Sequence, residues 1–403
     1  MRIEPGAELA YCTNVLAGEG WTEVQDALEH HLPPLRAALS PAAPFGVGLR
    51  LSDRAARELL QGDRLDRFAD WLAGRGLYVC TLNGFPYGGF HRTRVKDAVY
   101  APDWTRPERL DYTLRLARIL ARLLPEGGRG SISTVPLSYK PWHTAGHADT
   151  DAVWPAVGAG VLAACADSLI AARDALARIE AETGRLVHLD LEPEPDCALE
   201  TMAETTAFFR EHLLPRGGDT WTLRHLRVCW DACHAAVEYE RPAQALAALD
   251  AHGIEVGKLQ LSSALKAELG SASARRELAE RLHPFAEGTY LHQVVERRAD
   301  GSLRRHRDLP DALAHVMDPG AREWRIHFHV PLFCPEAQGL LTTQSDLQET
   351  LALWRARRFT GLLEIETYTW EVLPPALRGD LHSGLLREYN WVLSSLGETA
   401  CAA

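Results

Sequence analysis

The twelve residues RLVHLDLEPEPD, at positions 185–196, determine the predicted fold. His188, Asp190 and Glu192 lie on one face of an extended strand, and valine and leucine side chains lie on the other. A long helical segment precedes this strand and another follows it, which is the order of a buried parallel sheet. Ionisable side chains on a buried strand need partners on their own side. The stretch therefore predicts a polar interior or cavity.

The same alternation recurs in strands further along the chain. Strands that share one polar and one apolar face fit a closed parallel barrel, with the apolar faces under helices and the polar faces inward or at the mouth. We therefore predict an α/β fold, specifically a (β/α)8 TIM barrel. The recurring polar positions are Lys258, Gln260 and Ser262; Arg325, His327 and His329 within a strand at 325–330; and Glu364 and Glu366. Asp231 ends a further apolar strand.

The chain organisation follows from this pattern. Barrels of alternating strands and helices often exceed 250 residues as one unit, so we predict a single domain over 1–403. About a hundred residues separate the seventh strand from the eighth, and we expect an insertion at about 264–335, with a turn near 300–301, over the barrel mouth. A helix at about 380–396 follows the barrel. We expect the barrel strands at 11–15, 45–51, 77–82, 130–135, 227–231, 256–261 and 362–366, with the fifth strand in the stretch 185–196.

Charge and cysteine usage exclude several classes of protein. The net charge of −11 argues against nucleic acid as the main ligand. The eight cysteines form no C-x-x-C pair, which favours reduced thiols in a cytoplasmic protein. We find no signal peptide and no apolar run long enough to span a membrane.

Four polar residues are predicted at the carboxyl ends of consecutive strands: Glu192, Asp231, Gln260 and Glu366. Converging buried carboxylates repel each other unless a cation neutralises them, so we predict a divalent metal ion, manganese or magnesium, with zinc also possible. His329 has metal-ligand spacing with His327. The alternative is a polar network that satisfies itself without an ion.

Candidate substrate-binding residues come from the segments after the strands. Barrel enzymes carry function in the loops at this end, and such loops are also often merely solvated. Asn83 and His91 lie in a long aromatic loop after the third strand, and Lys140 follows the fourth. The candidates are Asn83, His91, Lys140, His234, His292 and His327.

The sequence resembles the xylose isomerase-like, or AP endonuclease family 2, barrel superfamily. Glu192-Pro193, Asp231-x-x-His234 and Glu366 match its metal-site positions in strand order. The segments LNGFPYGGFH, STVPLSYKPW, LDLEPEPDC, HFHVPLF and LEIETYTW more closely resemble the EboE family of metabolite traffic proteins, and that match covers nearly the whole chain.

The resemblance implies a metal ion held by Glu192, Asp231, a residue of the seventh strand and Glu366. It also implies that Glu192 and Glu366 act as the acid and base of a proton transfer and that His234 contacts a substrate oxygen. In this chain Gln260 stands where the superfamily commonly has histidine. Either His329, swung in by the insertion, replaces that ligand, or the metal is weak or absent.

These features support two classes of function. The first is a metal-dependent isomerase, epimerase or lyase that acts on a small polyhydroxylated or carbonyl metabolite, with other proteins of an Ebo-type pathway as candidate partners. The second is a non-catalytic carrier or scaffold that keeps the barrel cavity for binding, and Gln260 favours it. A DNA repair nuclease is disfavoured, because residues matching the additional zinc-binding histidines of endonuclease IV are missing from the third and fourth strands.

Overall fold

Eight parallel strands form the centre of the molecule in the computed structural model, which describes residues 1–4, 6–143 and 156–397. The first strand pairs with the eighth, and each later strand pairs with the next along the chain. A bridge between Cys12 and Gly48 joins the first strand to the second and closes the ring. The barrel strands are Ala7–Tyr11, Phe45–Arg50, Leu77–Asn83, Arg129–Thr134, Leu186–Leu191, Leu226–Asp231, Val256–Leu261 and Leu362–Ile365. The predicted (β/α)8 barrel is confirmed.

Helices cover the apolar faces of these strands, as the alternation predicts. Leu189 and Leu191 of the fifth strand are fully buried beneath them. Ser52 caps its helix by accepting a hydrogen bond from Ala55 N at 3.0 Å. The helices are Trp21–Leu39, Asp53–Leu59, Arg64–Gly74, Pro107–Leu123, Ala159–Thr183, Met202–Phe208, Leu214–Gly217, Asp219–His225, Ala232–Val237, Pro242–Asp250, Ala272–Leu282, Leu309–Ala314, Gln344–Arg357 and Leu381–Leu396. A π-helical segment, Phe209–Leu213, joins two of them.

The insertion between the seventh and eighth barrel strands builds a second sheet of six antiparallel strands. Its predicted hairpin near 300–301 is present, since Val294–Arg298 pairs with Leu303–His306. The sheet order is Leu303–His306, Val294–Arg298, Ala321–Ile326, Leu265–Glu268, Leu340–Thr342 and Glu336–Ala337. The sheet extends past the expected end at residue 335, because Leu341 and Thr342 pair with Lys266 and Leu265.

Two strand predictions are wrong. The first barrel strand is Ala7–Tyr11 rather than 11–15, because Glu8 to Tyr11 pair with the eighth strand and Thr13–Val15 turns into a short 3-10 helix. The strand predicted at 325–330 ends at Ile326, where its pairing with Val294 and Leu265 ends. His327 and His329 therefore follow the strand and do not share its face.

Two glycines make room for acidic side chains inside the barrel. A Cβ atom on Gly257 would lie 2.3 Å from Asp190 Oδ2, and one on Gly48 would lie 1.8 Å from Glu364 Oε1. Both distances are shorter than real Cβ contacts allow. These carboxylates therefore occupy the space that side chains at positions 48 and 257 would need.

The described cysteines are free thiols, six of them buried, as predicted; Cys401 lies outside the described residues. In the ranges 1–4, 6–143 and 156–397, the helices are all too short or too polar to cross a membrane.

Candidate metal centre

Three carboxylates meet at the carboxyl end of the barrel. Glu192 follows the fifth strand, Asp231 ends the sixth and Glu366 follows the eighth, and all three are buried. One ligand atom from each lies within 4.8 Å of the other two. Their meeting follows from barrel geometry, because the carboxyl ends of neighbouring parallel strands share one rim.

Three amide side chains hold Glu366 in place. Asn14 and Asn83 each donate to Oε1 at 2.8 Å, and the Gln260 amide donates to Oε2. The other end of the Gln260 amide accepts from Cys229 Sγ at 2.8 Å. Burial, followed by the charges of Glu192 and Asp231, raises the pKa of Glu366 well above its ordinary value. In this arrangement Gln260 positions a candidate ligand and does not itself present a free oxygen.

The other two carboxylates keep one oxygen each without a hydrogen-bond partner. Asp231 Oδ1 accepts from His234 N at 2.9 Å and from Ser262 Oγ at 2.7 Å, whereas Asp231 Oδ2 and Glu192 Oε2 are buried and unpartnered. Burial raises the pKa of Glu192 to about 8, and Asp231 adds to that increase. The pKa of Asp231 is lowered: burial opposes this, but His234 and His329 outweigh it. Without a cation, Glu192 and Glu366 therefore favour their protonated forms, and Asp231 is the acid of this cluster that keeps its charge most readily.

Three histidines surround the cluster, and each donates a hydrogen bond from Nδ1 to an oxygen acceptor. His234 donates from Nδ1 to Pro193 O at 3.0 Å, His327 to Gln293 Oε1 at 2.8 Å, and His329 to Glu366 O at 2.7 Å. An oxygen acceptor at Nδ1 fixes a proton there, so the neutral form of each ring has its lone pair on Nε2. This is the arrangement in which proteins present histidine to metal ions. Nε2 of His329 has no partner.

A partly open cavity lies beside these groups. Aromatic side chains form part of its wall: the ring centroids of Phe90, Tyr290 and Tyr368 lie 4.9 to 5.3 Å apart. The loop after the third strand is bonded to the insertion, since Val95 N and Lys96 N both donate to Thr289 O. The polar lining residues are Asn14, Asn83, Lys96, Glu192, Glu194, His234, His327, His329 and Glu366.

The structure places the predicted site residues in three groups. Asn83, Glu192, His234, His327, His329 and Glu366 line the cavity, and Asp231 and Gln260 lie directly beside them.

Three predicted substrate-binding residues lie elsewhere. Lys140 forms ion pairs with Glu200 at 2.9 Å and Glu204 at 3.4 Å. His292 binds Glu287 with Nε2 and His327 O with Nδ1, and His91 is not among the lining residues either. Their positions lend no support to substrate contact.

Sequence reasoning missed two residues of the site. Asn14 comes from the 3-10 turn that was predicted to be strand. Glu194 lines the cavity two residues after Glu192, and Tyr100 OH donates to its Oε1 at 2.7 Å. The repeated Glu-Pro of LEPEP carried the signal for Glu194, because alternate residues of an extended segment point the same way.

The donor set fits a divalent cation. Carboxylate oxygens and imidazole nitrogens bind manganese, magnesium and zinc, and the unpartnered buried atoms are Glu192 Oε2, Asp231 Oδ2 and His329 Nε2. Buried polar atoms of native proteins nearly always have a partner. The residues present therefore suit an ion between the fifth, sixth and eighth strands.

Comparisons with known proteins support the fold. No protein-family model and no curated protein matches the sequence. The structure of an L-ribulose 3-epimerase aligns at 12% identity, with 97% of this chain and 95% of that chain covered and a TM-score of 0.50. A D-allulose 3-epimerase from Methylomonas sp. aligns at 11% identity, with coverages of 97% and 98% and a TM-score of 0.51. At these identities the similarity shows the fold alone, and it agrees with the predicted α/β barrel.

Proposed function

We propose that this protein is a metal-dependent isomerase or epimerase acting on a small polyhydroxylated or carbonyl metabolite. The observation that carries the proposal is the group of Glu192, Asp231 and Glu366, buried at the base of a cavity with ligand atoms within 4.8 Å. The barrel shared with two sugar 3-epimerases supports the substrate class. A lyase acting on a similar compound belongs to the same proposal, because proton removal begins both reactions.

Glu192, Asp231, His329 and Glu366 would hold the metal ion. The first three supply buried atoms without other partners, and Glu366 supplies a carboxylate that three amides hold towards the group. A divalent ion bound there supplies Lewis-acid stabilisation for negative charge on a substrate oxygen. Gln260 contributes by fixing Glu366, in place of the histidine common at that strand.

Glu192 and Glu366 take the acid and base roles. Both line the cavity, and burial raises the pKa of both, to about 8 for Glu192. A carboxyl group with a pKa near neutrality can give and take a proton at physiological pH. Asn83 and His234 also face the cavity, and in this proposal they contact substrate oxygens.

The resemblance to the EboE family extends the proposal to a pathway. We place the reaction in the biosynthesis or trafficking of a metabolite precursor in the cytoplasm, with other proteins of that pathway as partners. The aromatic rings in the cavity wall support a small-molecule site.

The test begins with metal content. Protein purified without chelator or affinity-tag metal is analysed for manganese, magnesium and zinc, beside Asp231→Ala and Glu366→Ala. Near-stoichiometric metal that both variants lose, followed by sugar and keto-acid turnover that Glu192→Gln and Glu366→Gln abolish while the fold survives, supports the enzyme. Metal-free wild type, with variants of equal stability, contradicts it.

A non-catalytic carrier is the second candidate. The observation that favours it is that Glu366 already receives three amide hydrogen bonds, two of them at 2.8 Å, and so needs an ion less than an isolated carboxylate does. A carrier would bind a metabolite, as seen by calorimetry, without converting it. It would also keep its ligand affinity in Glu192→Gln, because a carrier needs neither the metal ion nor the proton transfer that this carboxylate is proposed to serve.

A further inference from the structure

A second set of possible metal ligands lies above the carboxylates. Nε2 of His234 and Nε2 of His327 are 3.1 Å apart. Both rings donate from Nδ1 to oxygen acceptors, so the gap between the two Nε2 atoms holds either a proton carried by one ring or a cation bound by both. Either occupant puts a positive charge into a buried gap beside acidic side chains.

Glu194 makes the pair into a group of three. One ligand atom each from Glu194, His234 and His327 lies within 4.8 Å of the other two. Oε1 of Glu194 accepts from Tyr100 OH and lies 3.4 Å from His327 Nδ1, whereas Oε2 is buried and unpartnered. A carboxylate with a free oxygen beside the two rings indicates an occupant that takes three ligands.

The spacing suits zinc. With Zn–N bonds of 2.0 to 2.1 Å, two ligand atoms of a tetrahedral zinc ion lie about 3.3 Å apart. This is close to the 3.1 Å between Nε2 of His234 and Nε2 of His327. Two imidazoles and one carboxylate form a known zinc ligand set that leaves a fourth position open. The rings meet at 76°, so each can direct its lone pair at a point between them.

Groups behind the three ligands hold them in position. Gln293 donates from Nε2 to Tyr100 OH at 2.7 Å and to Pro195 O at 3.2 Å, which directs its oxygen at His327 Nδ1. Tyr100 in turn holds Glu194. Outer partners of this kind orient metal ligands, and their loss typically weakens metal binding about 10- to 100-fold.

We propose that Glu194, His234 and His327 form a second metal site that takes zinc, with His327 supplied by the insertion. This site shares no ligand with the ion proposed at Glu192, Asp231, His329 and Glu366. His234 then gives its Nε2 atom to the cation rather than to a substrate oxygen. The proposal thus goes beyond the proposed function and replaces one role within it.

Metal stoichiometry tests the proposal, and the chain offers a matched control. His292 is a fully buried histidine of the same insertion whose two nitrogens already have protein partners. Wild type, His327→Ala, His292→Ala and Glu366→Ala are purified without chelator or tag metal and analysed for total metal and zinc. We expect two ions per wild-type chain, loss of the zinc in His327→Ala, both ions in His292→Ala, and loss of the other ion in Glu366→Ala.

A spectroscopic readout checks the ligand set without reference to activity. Protein stripped of metal and reloaded with Co²⁺ should show the visible absorption of a four-coordinate ion in wild type and His292→Ala, and should lose it in His327→Ala. Thermal melting of each apo variant shows whether the fold survives.

Each outcome separates this site from the carboxylate site. One wild-type ion that His327→Ala keeps and Glu366→Ala loses overturns the second site, leaves the proposed function standing, and assigns the gap to a shared proton. One ion that His327→Ala loses and Glu366→Ala keeps supports this site and contradicts the carboxylate site. Equal metal loss in His327→Ala and His292→Ala, with equally lowered melting, means a structural role and overturns the proposal.

Discussion

Two layers of ionisable side chains lie one above the other in the barrel, and the same strands supply both. The lower layer contains Asp190, Lys258 and Glu364, with Ser131. The upper layer lies two residues further along each strand and contains Glu192, Gln260 and Glu366, with Asp231 from the sixth strand. Both layers are buried.

The layers differ in what neutralises their acids. Lys258 Nζ lies 2.6 Å from Glu364 Oε2, and Asp190 binds His188 Nδ1 at 2.6 Å and Ser131 Oγ at 2.5 Å. Lys258 is fully buried and stays charged, because Glu364 raises its pKa against the opposing effect of burial. The upper layer holds three carboxylates and no lysine or arginine among its described members. The lower layer contains its own cation, Lys258. The upper layer contains none, which leaves that role to a bound ion.

The largest expected effect comes from removing the cation of the lower layer. Lys258→Met leaves Glu364 buried without its partner, and we expect a loss of about 3–5 kcal/mol in the free energy of unfolding. Urea denaturation measures it. The double variant Lys258→Met, Glu364→Gln should recover most of the loss, since no unpaired charge remains. A loss under about 1 kcal/mol in the single variant would mean that the ion pair does not distinguish the layers.

A buried carboxylate outside both layers sharpens the comparison, because hydrogen bonds alone satisfy it. Glu388 accepts from Tyr11 OH at 2.5 Å, Thr367 Oγ1 at 2.7 Å and Leu332 N at 3.0 Å. Burial nevertheless raises its pKa to about 7 from an ordinary value of 4.5. The folded protein holds this proton more tightly than the unfolded chain, so the resulting stability is present below pH 4.5 and is lost as pH rises through 7.

Glu388→Gln removes that dependence. Between pH 4.5 and 8, the unfolding free energy of wild type should fall by about 3 kcal/mol relative to the variant. Urea unfolding of both proteins across this range provides the measurement. Parallel pH profiles would show that Glu388 ionises in the folded protein as readily as in water.

Of the two layers, only the upper one should be stabilised by added metal. A divalent ion at 100 times its dissociation constant raises the free energy of unfolding by about 2.7 kcal/mol if it binds only the folded state. We expect this gain with Mn²⁺ in wild type and in Glu364→Gln, and its loss in Asp231→Ala, by thermal melting at increasing Mn²⁺. An undiminished gain in Asp231→Ala would place the ion elsewhere.

The smallest effect concerns the space beneath the layers. Gly257→Ala places a methyl group 2.3 Å from Asp190 Oδ2, and we expect a loss of about 1–3 kcal/mol from overpacking, measured by urea denaturation. Gly74→Ala is the control, since nothing lies within 4 Å of its Cβ position. Equal stability of the two variants would show that the lower layer rearranges freely.

The comparison also explains which residues the sequence could predict. The sequence predicted the three carboxylates of the site, Glu192, Asp231 and Glu366. The alternation of side chains and the order of the strands place them at one rim of the barrel, and both features depend on local geometry. The orientation of the Gln260 amide was not predictable, because it depends on Cys229 and Glu366 from neighbouring strands. The departure of Gln260 from the superfamily pattern could be seen, but its support of Glu366 could not.

The insertion was harder to predict than the barrel. Its presence followed from the length between two strands, and its hairpin from a turn signal. The 325–330 segment alternates like a strand, yet its pairing ends at Ile326 because the neighbouring strands end there. A strand needs a hydrogen-bonded neighbouring strand as well as an alternating pattern. The sequence alone does not show that the neighbouring strands end before His327 and His329.

The pairing of the first barrel strand with the eighth has a consequence for biosynthesis. Residues 8–11 lie beside 362–365, and Asn14 and Asn83 bind Glu366 across 352 and 283 positions of the chain. While the ribosome is still translating, the early amides have no carboxylate to hold, and the ring stands open on one side. Assembly of the carboxylate cluster therefore comes after translation has passed residue 366, so a truncated product that lacks the eighth strand would lack the assembled site.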